Sequence, residues 1–407
     1  MKFLSIKVIL LSGITLACQI VNAEETKITI GGEIKFDGYF DTSTNNSTGP
    51  RGYDLLSFRS VPLENSSDSD KVGGTKFHAR GTKLSIGSAT PYEGGTIKTY
   101  FEGDFLGRID SGADTDDDTV SNSYEFRVRQ AYMSWGNWTV GQTWSNFVDL
   151  KAYPEGITFT STLGRGFIRQ AQVKYSYQLG EGDSFSFSLE NPDTDYNAGT
   201  PAPGSNANES DGIPDMVATY FNKMGASHIR ASLLLRSLGV DETGALNTTD
   251  VTAIDAAQSD STTGWGIGLS GKYVVSPSFN IKFNLHGGDG IGRYLYNNQF
   301  RSATFVDGVL ETETAWGGNA MVQYKPSKEL RLNLGYGGHT VDVEADYVVG
   351  SVTETLTALH GNAIWTIAPG LEFGTGFTYA TRSVKSGDEG DITRLMVSFK
   401  RKFKATF

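Results

Sequence analysis

The chain has 407 residues, of which 49 are Gly, 38% are apolar and 12% aromatic, and its formal charge is −11. An acidic balance offers no electrostatic footprint for nucleic acid, so no such partner is expected. Cys18 is the single cysteine, which excludes an internal disulfide framework, and beyond the N-terminal segment no apolar run approaches the ~18 residues of a membrane-spanning helix.

The first 23 residues read as a secretory signal. Lys2 and Lys7 flank the apolar stretch Val8 to Ala17, and Val21-Asn22-Ala23 supplies a cleavage site, so cleavage is expected after Ala23. A lipoprotein reading of Cys18 competes, but Thr15 stands where that signal wants Leu. Lys2 and Lys7 leave with the signal, so the remainder, 24–407, is more acidic still and has no cysteine. A secreted chain of that size must be held by its own packing or hydrogen bonds.

From there the sequence alternates in sixteen segments, near 28–42, 75–89, 95–106, 123–135, 137–145, 167–178, 184–191, 214–223, 226–237, 264–275, 279–287, 314–325, 329–338, 355–367, 371–382 and 391–407. A period of two marks strands with unlike faces. Tight turns such as Gly136-Asn137, Ser276-Pro277-Ser278 and Ala368-Pro369-Gly370 alternate strictly with long polar connections, at about 43–74, 107–122, 146–166, 192–213, 238–263, 288–313, 339–354 and 383–390. Short turns at one end and long loops at the other, with an even strand number, predict an all-β transmembrane antiparallel barrel of the outer-membrane kind. A secreted sandwich would mix loop lengths at both ends, and no fixed-period repeat supports a solenoid.

Grease assigns the faces. Outward sets include Ile97, Phe101 and Phe105; Phe126, Val128 and Tyr132; Ile229, Leu233 and Leu235; and Leu332, Leu334 and Tyr336. Trp135, Trp138, Tyr175, Tyr177, Tyr273, Tyr324 and Trp365 fall near strand ends, where interface girdles lie. The opposite parity is expected to line a water-filled bore. It carries Lys98, Arg127, Arg129, Lys174, Arg230, Lys282 and Arg331 among an excess of cations, with Glu102 and Asp104 among the acids. Arg80 and Lys83 have opposite parity, and Leu84 and Ile86 favour Lys83 for the bore. Acidic loops around a cationic bore suit small anions, because fixed Lys and Arg replace part of an anion's hydration. Structural Arg–Glu ladders are the competing explanation for each individual charge.

Other chemistry is poorly supported. Asp114-Thr115-Asp116-Asp117-Asp118 lacks the Gly and distal Glu of a calcium loop and reads as a solvated loop, with loose divalent bridging to lipopolysaccharide as a minor alternative. The five histidines show no short metal spacing, no G-x-S-x-G elbow occurs, and Gly287 to Gly292 lacks the strand-to-helix setting of a phosphate cradle. No enzyme, cofactor or metal is expected. A barrel acting as an adhesin or anchor through its acidic loops remains the alternative to a channel.

Phe101-Glu102-Gly103-Asp104-Phe105-Leu106-Gly107, Val140 to Asp149 and Arg169 to Tyr175 occur in an order that resembles the DcaP-type outer-membrane porins, a family named for a dicarboxylate channel. The resemblance is specific over about 80–180. It implies a sixteen-stranded homotrimer in the outer membrane of a Gram-negative cell, passing small anionic organic solutes. It also implies that loop 146–166 folds inward as a constriction, holding Lys151, Arg165 and Arg169 beside Asp149 and Glu155. Some members carry an N-terminal coiled coil; here Glu24 leads almost directly into the first strand, so no such stalk is expected. Arg169 shares the parity of Val173 and aims outward by alternation, yet its place at the rim also permits a bend into the constriction. In the last strand Arg401 is the one fault in the greasy face. It is expected at a subunit interface, since Arg facing lipid costs roughly 2–4 kcal/mol near mid-bilayer.

Overall fold

A computed structural model describes residues 25–42, 61–64, 66, 73–107, 125–158, 163–197, 209–241, 259–295, 300–306, 309–342 and 352–407. The signal segment, the 114–118 acidic run and much of the long connections lie outside these residues.

Sixteen antiparallel strands close into a barrel. They are β1 (Lys27–Asp41), β2 (Thr75–His78 continued by Lys83–Tyr92), β3 (Gly95–Asp104), β4 (Arg127–Trp135), β5 (Trp138–Trp144), β6 (Arg169–Gln178), β7 (Asp183–Glu190) and β8 (Asp215–Met224). Then follow β9 (Ser227–Asp241), β10 (Ser259–Ser276), β11 (Phe279–Asp289), β12 (Thr314–Tyr324), β13 (Leu330–Asp342), β14 (Thr353–Ala368), β15 (Leu371–Val384) and β16 (Glu389–Thr406). Each strand pairs with its sequence neighbours. The seam closes where β1 meets β16, from Thr29↔Thr406 to Asp41↔Arg394. Closure leaves no unpaired edge, the condition for backbone to sit in hydrocarbon.

Alternation is visible in exposure. Ile28, Ile30, Ile34, Phe36 and Phe40 of β1, Ile229, Leu233 and Leu235 of β9, and Leu395, Phe399 and Phe403 of β16 all face outward and exposed. A soluble protein does not present so continuous an apolar belt. Trp138 and Tyr175 pack edge-on at 4.8 Å, and Trp365 stacks on Phe373 at 5.6 Å, beside the short turns. That end therefore carries an aromatic girdle.

Two strands depart from simple alternation. β2 leaves the ladder at 79–82, where the amide of Lys35 donates to the Thr82 hydroxyl at 3.1 Å instead of to a strand carbonyl. Parity does not carry across that break. Arg80 is buried, and Lys83 joins Glu33 at 3.0 Å. In β4 the pairing skips Arg129, since Glu102 opposes Gln130 while Gly103 opposes Val128. This bulge points Arg129 and Gln130 both inward and reverses the faces beyond it. Tyr132, expected among the lipid-facing residues, therefore packs against inward Tyr100 at 5.7 Å.

The loop end of the barrel is not simply water-filled. Val61, Phe147, Leu163, Ile291, Tyr294, Leu295 and Phe300 from the connections form one apolar cluster with Val217, Leu234, Leu356 and Ile392 of the wall. A second cluster lies above β9. There short strands Ala303–Val306 and Val309–Thr312 form a hairpin joined in parallel by Tyr196–Asn197, and Tyr196, Phe305 and Leu310 cover Leu238 and Val240.

Candidate functional site

The connection between β5 and β6 lies against the inner wall and is held there strand by strand. Its neck closes where the Ser145 amide donates to the Ile168 carbonyl at 3.1 Å. Arg230 of β9 donates from Nη1 to the Val148 carbonyl at 2.5 Å and from Nη2 to the Asn146 carbonyl. Leu150–Ala152 make a single 3-10 turn capped by Asp149, whose carboxylate accepts the Lys151 amide at 3.0 Å. The other carboxylate oxygen meets His228 of β9 and Ser270 of β10, each at 2.9 Å. Burial alone raises this carboxyl, but the His228 hydrogen bond and the charge of Arg230 outweigh it and hold Asp149 below the ordinary range.

Further along, Lys282 and Asn284 of β11 donate to the carbonyls of Tyr153 at 2.8 Å and Ala152 at 3.1 Å. Glu155 accepts from Gln323 of β12 at 2.6 Å and from Arg331 of β13 at 3.1 Å, while its carbonyl accepts from Asn362 of β14 at 2.9 Å. Thr158 reaches Met396 of β16. On the return, the Gly164 and Gly166 amides donate to His339 Nδ1 at 3.4 Å and His286 Nε2 at 3.1 Å. Gly164 has φ +79, and a Cβ there would lie 1.9 Å from the Gly318 carbonyl oxygen, so only glycine lets the loop lie this close to the wall.

The wall from β2 to β4 is built differently. Arg127 grips Asp104 through Nε at 3.0 Å and Nη2 at 2.8 Å. Arg129 bridges Glu102 at 2.7 Å and Asp104 at 2.6 Å. Tyr100 adds its hydroxyl to Glu102 at 3.0 Å. Charge-assisted, partly bidentate bonds of this kind fix guanidinium planes firmly. The expected residues Lys83, Glu102, Asp104, Arg127 and Arg129 thus come together on one wall, whereas Arg230, Lys282 and Arg331 hold the loop on another.

The remaining expected positions are more scattered. Lys98 shares the parity of Tyr100 and Glu102 nearer the turn and is exposed, and Lys174 shares that of buried Gln170 and Gln172. Arg165 stacks over Tyr153 at 4.7 Å and Phe167 at 5.1 Å. Arg169 stacks over Trp144 at 4.7 Å and Phe167 at 5.7 Å, so both arginines sit in an aromatic nest at the loop's root. Arg401 is exposed on the outer face and donates to the Pro369 carbonyl of its own chain, in the β14–β15 turn.

Several anchors escape a sequence reading. His228, His286 and His339 hold the loop, and His360 joins Thr378 and Asn362 at the wall. Their common signal is inward parity; spacing for a metal is the wrong question. Tyr294, from a turn in the β11–β12 connection, packs edge-on against Phe147 and donates to Asp215 at 2.8 Å, while accepting from Gln170. Above it Arg236, fully buried, binds Asp215 at 3.2 Å and the carbonyls of Asp193 and Gly290. Asp195 lies 3.9 Å away, and burial pushes its carboxyl up to about 6 against the pull of Arg236. These contacts tie three connections into one lid.

The barrel fold is shared with known proteins. The structure superposes on the outer-membrane channel DcaP of Acinetobacter baumannii with a TM-score of 0.74 and 22% identity, covering 94% of this chain and 99% of that one. An anion-selective porin from Comamonas acidovorans aligns with a TM-score of 0.57 and 11% identity, over 93% and 100%. The trimer form of OmpT from Vibrio cholerae gives 0.53 and 9%, over 93% and 100%. No curated protein matches the chain. The family model described as DcaP outer membrane protein matches residues 14–403, and on that match the chain belongs to the DcaP family of Gram-negative outer-membrane channels.

Proposed function

We propose that the protein passively conducts small hydrophilic anions, dicarboxylate-like organic acids among them, past a constriction formed by loop 146–166. The observation that carries this reading is the kind of partner the bore's cations have. Arg230 and Lys282 donate to loop carbonyls and form no ion pair with a described residue, although Arg230 also sits in the field of Asp149. Lys98, Lys174 and Lys272 make no ion pair with any described residue. Fixed positive charge therefore outlasts the ion pairs, and such charge favours anions in a narrow aqueous passage. The printed selectivity of the Comamonas porin points the same way.

A reversal potential in a salt gradient across a planar bilayer tests the reading. Anion permeability above cation permeability is expected; cation preference would overturn it. A structural or adhesin barrel remains the second reading, favoured by the lid of connections above β9, and liposome swelling separates the two because a closed barrel admits no solute. We further propose secretion by a signal cleaved after Ala23, checked by the mass of the mature N-terminus. A homotrimer is proposed on the likeness to the trimeric porin, with the turn end of β16, Arg401 included, at the subunit interface.

A further inference from the structure

The inner wall is indented at the short-turn end of the seam. A recess of about 390 Å³ is lined by Gly32, Glu33, Lys83, Ser85, Tyr100, Glu102, Lys402, Phe403 and Lys404. On this wall β1 carries Gly31-Gly32 and runs close against β2 and β16. A Cβ on Gly31 would lie 3.4 Å from the Ser85 hydroxyl oxygen, and one on Gly32, at φ +156, would meet the Lys83 carbonyl oxygen at 2.2 Å. The glycines thus let neighbouring backbone approach closely beside the recess. The level is fixed by the Lys402 amide, which donates to Gly370 in the β14–β15 turn at 2.8 Å.

The charges around the recess do not cancel. Glu33 is paired with Lys83 at 3.0 Å, and Glu102 with Arg129 at 2.7 Å. Lys402 has a 57% exposed side chain and only a distant contact, 4.0 Å, with Glu372, which Lys400 and Arg331 already hold at 3.0 and 2.7 Å. Lys404 is exposed and makes no ion pair with a described residue. Two lysines without a close ion-pair partner among the described residues thus line a hollow whose wall also includes Ser85 and Tyr100. We infer that this recess is a second anion site, at the periplasmic exit of the bore, taking small organic carboxylates.

The inference rests on the anion-conducting reading and adds a place where solute pauses after the constriction. Lysine binds as a hydrated point charge, so the site suits weak, rapidly exchanging capture. Glutarate spreads its two charges along a methylene chain whereas phosphate concentrates its charge on one centre, so inorganic phosphate is the discriminating probe. A volume of this size accommodates a small multi-carbon acid.

The full-length mature protein and its Lys402→Gln/Lys404→Gln variant are compared in planar bilayers with glutarate added to one side. Glutarate on the turn side is expected to interrupt the wild-type current, with dwell times falling roughly three- to ten-fold in the variant, as expected for losing charge-assisted contacts. Equal dwell times in the two proteins would overturn the site. A second readout does not need conduction: labelling of lysine amines in detergent, read by mass spectrometry. Glutarate is expected to slow labelling at Lys402 and Lys404, and phosphate to leave it unchanged. Unprotected amines overturn the site, and equal protection by phosphate overturns its carboxylate preference. An absence of current in the wild type would instead defeat the conducting reading, with the labelling still deciding the recess.

Discussion

The two walls of the bore use the same residue types to opposite ends. On β3 and β4 the arginines meet carboxylates, so Arg127 and Arg129 with Glu102 and Asp104 form a rigid, largely self-neutralised ladder. On β9 and β11 the cations meet backbone carbonyls, so Arg230 and Lys282 tether a loop and keep their charge. Counting cations in a lumen is therefore a poor guide to its field. The partner decides whether a charge is spent on stiffness or left for solute.

The largest expected effect comes from breaking the ladder. In Arg127→Ala/Arg129→Ala, Asp104, whose side chain is 0% exposed, loses both partners. Reversal potentials are expected to move towards cations, and stability to fall by about 3–5 kcal/mol, as for a buried pair with one partner removed. Arg127→Ala alone is milder because Arg129 stays on Asp104. An unchanged reversal potential in the double variant would separate the ladder from selectivity. Removing a tether comes next. Arg230→Ala loses its bonds to Val148 and Asn146, for about 1.5–3 kcal/mol, and single-channel currents are expected to become larger and noisier as the loop loosens.

Acidity sharpens the contrast between tether and lid. The Asp149 carboxyl is depressed, so its contribution is present above the unfolded value and lost as pH falls through the folded one. Loop loosening is therefore expected only below the ordinary carboxylate range of about 4. Asp195 has the reverse sign. Raised to about 6, it favours the folded lid when protonated, so lid stability is expected to decline as pH rises from about 4 to about 6. Hydrogen exchange at the Ser302 amide, which donates to the Asp195 carbonyl at 3.0 Å, reads this, and Asp195→Asn is expected to flatten it. The smallest stability change is expected at Arg401, whose in-chain contact is a single exposed carbonyl. Arg401→Leu should change monomer unfolding by less than about 1 kcal/mol, while weakening the trimer band on unheated gels. A trimer band of unchanged strength would remove Arg401 from the interface.

Much of this molecule is legible from period two alone. All sixteen strands fall close to the alternating segments, because each has one face in lipid and the pattern repeats without tertiary help. Arg127 and Glu102 were legible as inward residues for the same reason. Tyr132 was not, because a bulge set by Arg129 reverses the count, and Arg80 was not, because β2 breaks at 79–82. The histidines were visible but mute, since nothing local says that His286 and His339 accept amides from a loop more than a hundred residues earlier.

The sequence by itself thus determined the barrel, its strand number and, away from the bulge in β4 and the break in β2, which faces meet lipid, since those follow from local alternation and turn chemistry. Only the tertiary structure decided what each inward charge does. That depends on which strand lies opposite and on whether a carboxylate, a carbonyl or water comes within about 3 Å of it, and these neighbours are brought together by closure of the sheet and the inward path of one loop.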